Sequence, residues 1–215
     1  MLDDERFTVP LYTIGLAAAH LGMKANTLRN WVGKSGLVTS VPASGSQPRL
    51  PFIALAEGQV YCAFRHAGLS MQATTAGMTV VRKELGERML QRGVLAHDGR
   101  EILMNLSGES GADWERARDR QGGLPEVIEI GLRPISWDEY DLPETVHLTA
   151  YKDAHIIADP RFAFGQPILE GTTVRVEDVL GLFKAGEPIQ VIAAEMDIPP
   201  TAVEAMVRTH VALAA

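Results

Sequence analysis

The 215-residue chain lacks several features that define common protein classes. Its single cysteine, Cys62, excludes an internal disulfide and a zinc site built from two to four thiolates. No apolar run approaches the ~20 residues that cross a bilayer. The acidic start, Met-Leu-Asp-Asp-Glu, is unlike the positively charged start of a signal peptide. We therefore expect a globular, cytoplasmic protein that does not bind membranes.

Catalytic and cofactor motifs are also missing from the sequence. There is no Gly-x-Ser-x-Gly elbow, no phosphate-binding glycine loop and no dinucleotide-binding fingerprint. The six histidines show no metal-ligand spacing, and His20 and His210 fall beside apolar faces, where a packing role is expected. Cys62 lies among apolar neighbours that predict a buried helix and an inert thiol. We expect no cofactor, no metal and no enzymatic activity, and an enzyme of unknown type is the least favoured alternative.

The net charge of −7 is distributed unevenly along the chain. No acidic residue occurs between Thr8 and Leu50, a stretch that contains four basic residues: Lys24, Arg29, Lys34 and Arg49. A basic stretch in an acidic protein is typical of a surface that binds a polyanion. The alternative is a solvated face whose acidic partners lie elsewhere in the fold.

The same stretch has the pattern of a helix-turn-helix. Thr13 can cap a first helix, which Gly22 can end, and a second helix over 25–32 has apolar residues on one face. The side chains on its other face, and the cations beside it, are types that bond base edges and phosphates. The predicted DNA-binding residues are Lys24, Asn26, Thr27, Arg29, Asn30, Lys34 and Arg49.

The residues after this helix pair predict a wing. The segment 38–52 contains prolines, a glycine and Arg49, and predicts two short strands joined by a polar tip. Such a wing would place Arg49 on a phosphate.

Two stretches of this region carry a family resemblance: YTIGLAAAHLGMKANTLRNWVGKSGLV and FRHAGLSMQATTAGMTVVRKELG. They resemble the two helix pairs of MerR-type regulators, and Gly68 and Ser70 would separate the second pair. The chain departs from that pattern at Lys24 and Asn30, and no long coiled-coil helix follows Gly86. The resemblance implies a winged helix-turn-helix domain that binds DNA, and the alternative is a small helical domain that binds protein.

The middle of the chain predicts short strands and a linker. The stretch GVLAHDGREILMNL indicates two strands around an Asp98-Gly99 turn. Charges alternate in sign over 115–120, which favours a solvated helix. Further on, extended segments are interrupted at Pro134 and Pro143.

The last 60 residues or so predict three short helices. Their apolar faces begin near Val176, near Pro188 and near Pro200, with a break at Gly186. The segment contains three short motifs: Gly165-Gln166-Pro167, Gly171-Thr172-Thr173-Val174 and Ala185-Gly186. On these motifs it is similar to the family catalogued as domain of unknown function four-three-three, although Thr173 replaces the usual arginine.

That family is regarded as an antitoxin component, and together with the MerR-like front it resembles VapB-type antitoxins. The resemblance implies a PIN-like ribonuclease toxin as partner, operator DNA as a second partner, and autoregulation of the operon. Arginine is suited to the carboxylate-rich, metal-binding site that the resemblance implies for such a toxin. The candidate toxin-binding residues are Arg116, Arg118, Arg120, Arg133 and Arg175.

We therefore predict a mainly α protein with short β segments, divided into three parts. Residues 8–90 form the MerR-like winged helix-turn-helix, 91–149 an extended middle of strands and linker, and 150–215 a trihelical, helix-turn-helix-like antitoxin domain. We expect a homodimer, because one short recognition helix contacts few bases and operators mirror two-fold symmetry. The alternative function is a stand-alone MerR-like regulator that responds to a small ligand.

Overall fold

The computed structural model describes residues 4–33, 36–90, 95–97, 102–105, 114–117, 119, 122–123, 134–152 and 154–214. Helices dominate these residues, and the strands are short and antiparallel. This confirms the predicted fold class. None of the described helices is long and apolar enough to span a membrane.

The predicted helix-turn-helix forms from α2 (Ile14–His20) and α3 (Ala25–Gly33), after a one-turn helix α1 (Glu5–Thr8). The Thr13 side chain accepts a hydrogen bond from the Leu16 N–H at 3.1 Å, which caps α2. Gly22 follows the end of α2 and has a φ of 67°, a left-handed conformation that glycine adopts without strain. Local sequence signals therefore determine both ends of α2.

The two strands predicted over 38–52 are not formed, and this part of the prediction is wrong. Phe52 already belongs to α4 (Phe52–His66), and the described residues 36–51 contain one isolated bridge, from Leu50 to Tyr12. The Val41 N–H donates to the Arg49 carbonyl at 2.8 Å, which closes the segment into a loop. Four residues of this stretch favour turns over a ladder: Pro42, Gly45, Pro48 and Pro51.

The centre of the N-terminal half is α4, which is buried along most of its length. It is followed by α5 (Met71–Leu85), which Ser70 caps by accepting from the Ala73 N–H at 3.0 Å, and by a 3-10 turn, Gly86–Leu90. Gly58 of α4 faces Leu21, and a Cβ at this glycine would lie 2.3 Å from a Leu21 methyl carbon. A side chain at this position would have to displace that of Leu21, and glycine permits the close packing of the helix-turn-helix on α4.

Two small sheets follow in the chain. The first has the order β1 (Leu95–His97), β2 (Ile102–Met104), β3 (Trp114–Arg116) and β4 (Gly122–Gly123), with every neighbour antiparallel. The β1–β2 pair confirms the predicted strands around the Asp98-Gly99 turn, whose own residues lie outside the described part. The solvated helix expected from 115 onward is wrong at Glu115 and Arg116, which pair with Met104 and Leu103 of β2.

The second sheet has the order β5 (Ile135–Trp137), β6 (Pro143–His147), β7 (Ile156–Ala158) and β8 (Ile168–Leu169). Its strands come from both sides of residue 149. The division of the chain at 8–90, 91–149 and 150–215 remains a prediction.

The C-terminal helices are α6 (Val176–Lys184), α7 (Ile189–Glu195) and α8 (Pro200–Ala214). As predicted, α6 is followed by Gly186, which has a φ of 98°, and α7 follows Pro188. A buried hydrogen-bonded chain joins α8 to α2, because the Tyr151 hydroxyl lies 2.5 Å from His20 Nδ1 and 2.8 Å from His210 Nε2. The two ends of the chain are therefore packed against each other.

Candidate nucleic-acid interface

The outward face of α3 carries the predicted DNA-binding side chains. Asn26, Arg29 and Asn30 are exposed, as is Lys24 immediately before the helix, while Thr27 is half-buried. The opposite face packs inward through Leu28, Trp31 and Val32. Positions 26, 29 and 30 lie on one helical face because residues three and four apart are neighbours on a helix. The structure thus brings together an amide–guanidinium–amide surface with groups able to bond bases and phosphates.

Two aromatic rings hold α3 against the core. Trp31 packs on Tyr61 of α4 with 4.7 Å between the ring centroids and 42° between the planes. Tyr61 also donates to the Leu37 carbonyl at 2.8 Å. Burial raises the pKa of Tyr61, so its hydroxyl remains a proton donor at neutral pH. These contacts give the exposed face of α3 a rigid support.

The cations of this surface have no carboxylate partner among the described residues. Arg29 contacts only the neutral Asn26 side chain, and neither Lys24 nor Arg49 forms an ion pair there. Most of the other described arginines bind a carboxylate of the same chain: Arg6, Arg82, Arg116, Arg161, Arg175 and Arg208. Arg65 binds the Leu69 carbonyl. The cations at positions 24, 29 and 49 are consequently available to an external anion.

Arg49 lies in the loop that replaces the predicted wing strands. Its backbone N–H donates to the Tyr12 carbonyl at 2.9 Å and its carbonyl accepts from Val41. The side chain is half-buried, and its Nε is buried without a hydrogen-bond partner among the described residues. Packing of the loop, rather than hydrogen bonding, therefore directs the guanidinium. Lys34, the remaining predicted DNA-binding residue, lies outside the described residues.

A buried polar cluster that no sequence motif predicted lies behind this surface. Glu57 of α4 accepts from the Thr39 N–H at 2.5 Å, from the Thr39 hydroxyl at 2.8 Å and from Arg82 Nη1 of α5 at 2.7 Å. Burial raises the pKa of Glu57, and the charge of Arg82 and the bonds from Thr39 oppose that shift. A single carboxylate inside the apolar run of α4 was the available sequence signal, because a buried acid requires partners.

The predicted toxin-binding arginines are only partly described. Arg116 forms an ion pair with Asp119 at 3.5 Å, and Arg175 binds both carboxylate oxygens of Asp178 at 2.7 and 2.8 Å. Arg118, Arg120 and Arg133 lie outside the described residues. The structure therefore does not bring this set together, and its toxin-binding role remains a prediction.

The described residues give little support for metal or nucleophile chemistry. No group of three or more His, Cys, Asp and Glu side chains among them could hold a metal ion. Burial raises the pKa of the Cys62 thiol to about 11, and its Sγ lies 3.6 Å from the Leu21 carbonyl that it faces. Such a thiol is almost entirely protonated at neutral pH and unreactive as a nucleophile.

Comparisons with known proteins agree with this geometry. Residues 10–77 match the family described as "Putative DNA-binding HTH domain", and residues 156–208 match "Protein of unknown function (DUF433)". The chain is 33% identical over 218 residues to a Mycobacterium tuberculosis protein named "Putative antitoxin VapB45", covering 91% of both chains. It is also similar to the crystal structure of Rv2018 from Mycobacterium tuberculosis, with a TM-score of 0.68 and 30% identity over 94% of this chain and 99% of that one.

Proposed function

Because this chain belongs to the VapB-type antitoxin family and contains a DNA-binding helix-turn-helix, we propose that it is the antitoxin of a type II toxin–antitoxin pair. In this proposal it binds and inhibits a PIN-like ribonuclease toxin. It also binds operator DNA in the cytoplasm and represses its own operon. It acts by binding and not by catalysis.

The observation that carries the DNA-binding part is the set of unpaired cations on and around α3. Lys24, Arg29 and Arg49 form no ion pair with the described residues of a chain whose net charge is −7. Cations that neutralise phosphates release condensed counterions, and this release supplies much of the affinity for DNA. Asn26 and Asn30 flank Arg29 and supply the amide groups that pair with adenine edges.

A homodimer suits this mode of binding. One helix of nine residues reaches few base pairs, and two such helices related by a two-fold axis would read both halves of a palindromic operator. The dimer interface and the operator half-site spacing belong to the proposal.

An exposed aromatic loop supports toxin binding by the C-terminal region. Phe162 and Phe164 are 53% and 88% exposed, and Ala163 and Phe164 adopt left-handed φ values of 47° and 55°. Such conformations cost about 1–3 kcal/mol for non-glycine residues, so surrounding contacts must hold them. Tyr12 supplies one by donating to the Gly165 carbonyl.

Exposed aromatic side chains are typical anchors of protein interfaces, and Arg161 lies beside them with its guanidinium 5.8 Å from the Phe162 ring centroid. We include Phe162 and Phe164 in the toxin contact. The paired Arg116 and Arg175 can take part only by exchanging Asp119 and Asp178 for carboxylates of the toxin.

The second candidate is a stand-alone regulator that responds to a small ligand. A cavity of about 170 Å³, lined by Thr39, Glu57 and Arg82 together with apolar side chains, is the observation that favours it. Its wall also includes Phe7, Ile53 and Met89.

Co-expression of the chain with its neighbouring gene, followed by affinity purification and mass determination, tests the proposal. We expect a stable complex with a small PIN-like nuclease whose RNA cleavage is blocked. Replacing Phe164 by Ser should weaken this complex, and the same change at Phe162 should act in the same direction. A chain that purifies alone and still shifts its promoter DNA would favour the stand-alone regulator.

A further inference from the structure

The segment that leaves α3 is held at one buried point by side chains from two other helices. The Leu37 N–H donates to the carbonyl of Trp31 in α3 at 2.8 Å. The Leu37 carbonyl accepts from Tyr61 of α4 and from Arg82 of α5, each at 2.8 Å. Leu37 therefore links the end of α3 directly to both helices behind it.

Two residues later, Thr39 completes a closed set of hydrogen bonds. Its hydroxyl donates to Glu57 Oε1 at 2.8 Å and accepts from Arg82 Nη2 at 2.9 Å. Arg82 Nη1 also donates to Glu57 Oε1 at 2.7 Å. Each of the three side chains thus bonds the other two, and the Glu57 side chain is only 4% exposed.

We propose that Thr39, Glu57 and Arg82 form a positioning clamp for the loop that carries Arg49. The inference rests on the proposed DNA binding and adds three residues that would not touch DNA themselves. The clamp fixes the first leg of the loop, residues 37–41. This leg joins the second leg through the hydrogen bond from the Val41 N–H to the Arg49 carbonyl.

The Arg49 side chain needs such a support. Its Nε is buried and has no hydrogen-bond partner among the described residues, so only the packing of the loop directs the guanidinium. The Tyr12 carbonyl binds the backbone of the second leg. That contact does not involve residues 37–41 of the first leg. Without the clamp, the first leg would keep the bonds of Leu37 to Trp31 and Tyr61 and the bond from Val41 to Arg49. The part between Leu37 and Val41 would lose its side-chain anchor, and Arg49 would approach a phosphate from a less fixed position.

The alternative is that the cluster only stabilises the fold. The hydrogen bonds of a buried carboxylate help to stabilise the fold wherever the carboxylate lies. Removing one partner destabilises the fold, because the carboxylate then remains buried without that hydrogen bond. The two roles differ in one respect. A stability role lowers the fraction of folded protein, whereas a positioning role removes the phosphate contact of Arg49 in particular.

A double-mutant cycle between Thr39→Val and Arg49→Ala, measured on the full chain with a labelled duplex of its own promoter region, separates them. Loss of one phosphate contact lowers affinity about fivefold at 0.15 M salt and lowers the salt slope by about 0.9. We expect each single variant to show this loss and the double variant to show no more than Arg49→Ala alone. Thr39→Ser, which keeps the hydroxyl, should restore binding.

Thr79→Val is the matched control, because Thr79 is an exposed residue of α5 that bonds only the Thr75 carbonyl. If Thr39→Val is not folded by circular dichroism, Arg82→Lys enters the same cycle, since a lysine keeps the charge but cannot bridge all three acceptors. Additive losses, or a Thr39→Val variant with unchanged salt slope, would overturn the clamp while leaving DNA binding intact. A wild-type chain that does not bind the duplex would overturn the proposed function and the clamp with it.

Discussion

The chain contains two helix-turn-helix-like units that share local geometry and differ in surface charge. In both, the first helix has seven residues, α2 in one case and α7 in the other, and a longer helix follows a short turn. A left-handed residue lies in each turn, Gly22 with a φ of 67° and Asp197 with a φ of 52°. The two units differ in the length of the second helix, which has nine residues in α3 and fifteen in α8.

Their exposed side chains do distinguish them. The N-terminal unit presents Lys24 and Arg29 with no acidic residue nearby in the sequence. The C-terminal unit presents acidic residues at Glu195, Asp197 and Glu204, and its Arg208 is bound to Glu204. A DNA phosphate is attracted by the cations of the first surface and repelled by the carboxylates of the second. The two units thus share a helix-turn-helix shape, and among the described residues they differ in whether their outward cations are paired.

The largest expected effects come from the cores, where the two units are alike. Leu28 of α3 and Met206 of α8 are fully buried. Truncating either to alanine should lower the free energy of unfolding by about 2–5 kcal/mol, because a cavity remains in a packed interior. Urea denaturation measures this, and a loss below about 1 kcal/mol at either site would mean that its unit is less tightly packed than described.

Charge reversal should separate the two surfaces. Arg29→Glu replaces an attraction to phosphate by a repulsion, and we expect affinity for promoter DNA to fall roughly 25-fold or more. Arg208→Glu in α8 should change the affinity less than about twofold, because Arg208 is already neutralised by Glu204. A gel-shift titration at fixed salt gives both values. Equal losses would contradict the difference between the units.

The contact between the two halves should weaken in acid. Burial, and secondarily the charge of His210, lowers the pKa of His20 to about 3, while burial and then the charge of Lys184 lower that of His210 to about 4. The unfolded chain therefore binds more protons below pH ~6.5, so stability is complete above that value and falls as the pH decreases. For His20 we expect a loss of about 1.4 kcal/mol between pH 7.5 and pH 5.5.

Urea denaturation at the two pH values checks this dependence on pH. His20→Gln should remove the part of this dependence that comes from His20 and leave the part that comes from His210, because the amide does not titrate. A His20→Gln variant with the wild-type dependence on pH would refute the assignment to this contact.

The smallest effect is expected from removing the carboxylate that pairs with Arg208 in the C-terminal unit. Glu204→Gln leaves Arg208 without its ion pair, and both side chains are more than half exposed. Exposed pairs contribute about 0–1 kcal/mol, so stability should change little. Affinity for promoter DNA should rise less than about twofold, since Glu195 and Asp197 remain. A gain that approaches the loss in Arg29→Ala would mean that α8 also contacts DNA.

The sequence predicted those parts of the molecule that depend on neighbouring residues. The Thr13 cap, the Gly22 turn and the buried face of α3 follow from spacing and residue type, as do α6 and α7 with Gly186 and Pro188 between them. The buried position of Cys62 also follows from its apolar neighbours. Periodicity and capping act within a few residues, and this is why they are visible in one sequence.

The parts that were missed depend on distant residues. Thr39 and Glu57 are 18 residues apart in the sequence, and Glu57 and Arg82 are 25 residues apart. These side chains meet only in the folded chain. The alternating charges at Glu115 and Arg116 fit a solvated helix as well as a strand, and the pairing with β2 is not visible locally. The packing role expected for His20 and His210 agrees with their positions, but their meeting at Tyr151 required the tertiary fold.

A salt titration of promoter-DNA binding tests the central claim most directly, with the wild-type chain, Arg29→Ala and Arg208→Ala compared. If the unpaired cations of the N-terminal unit contact phosphates, Arg29→Ala lowers the slope of log K against log salt by about 0.9, and its toxin complex keeps the wild-type mass. Arg208→Ala then leaves the slope unchanged. A slope that falls in Arg208→Ala and not in Arg29→Ala would contradict the account.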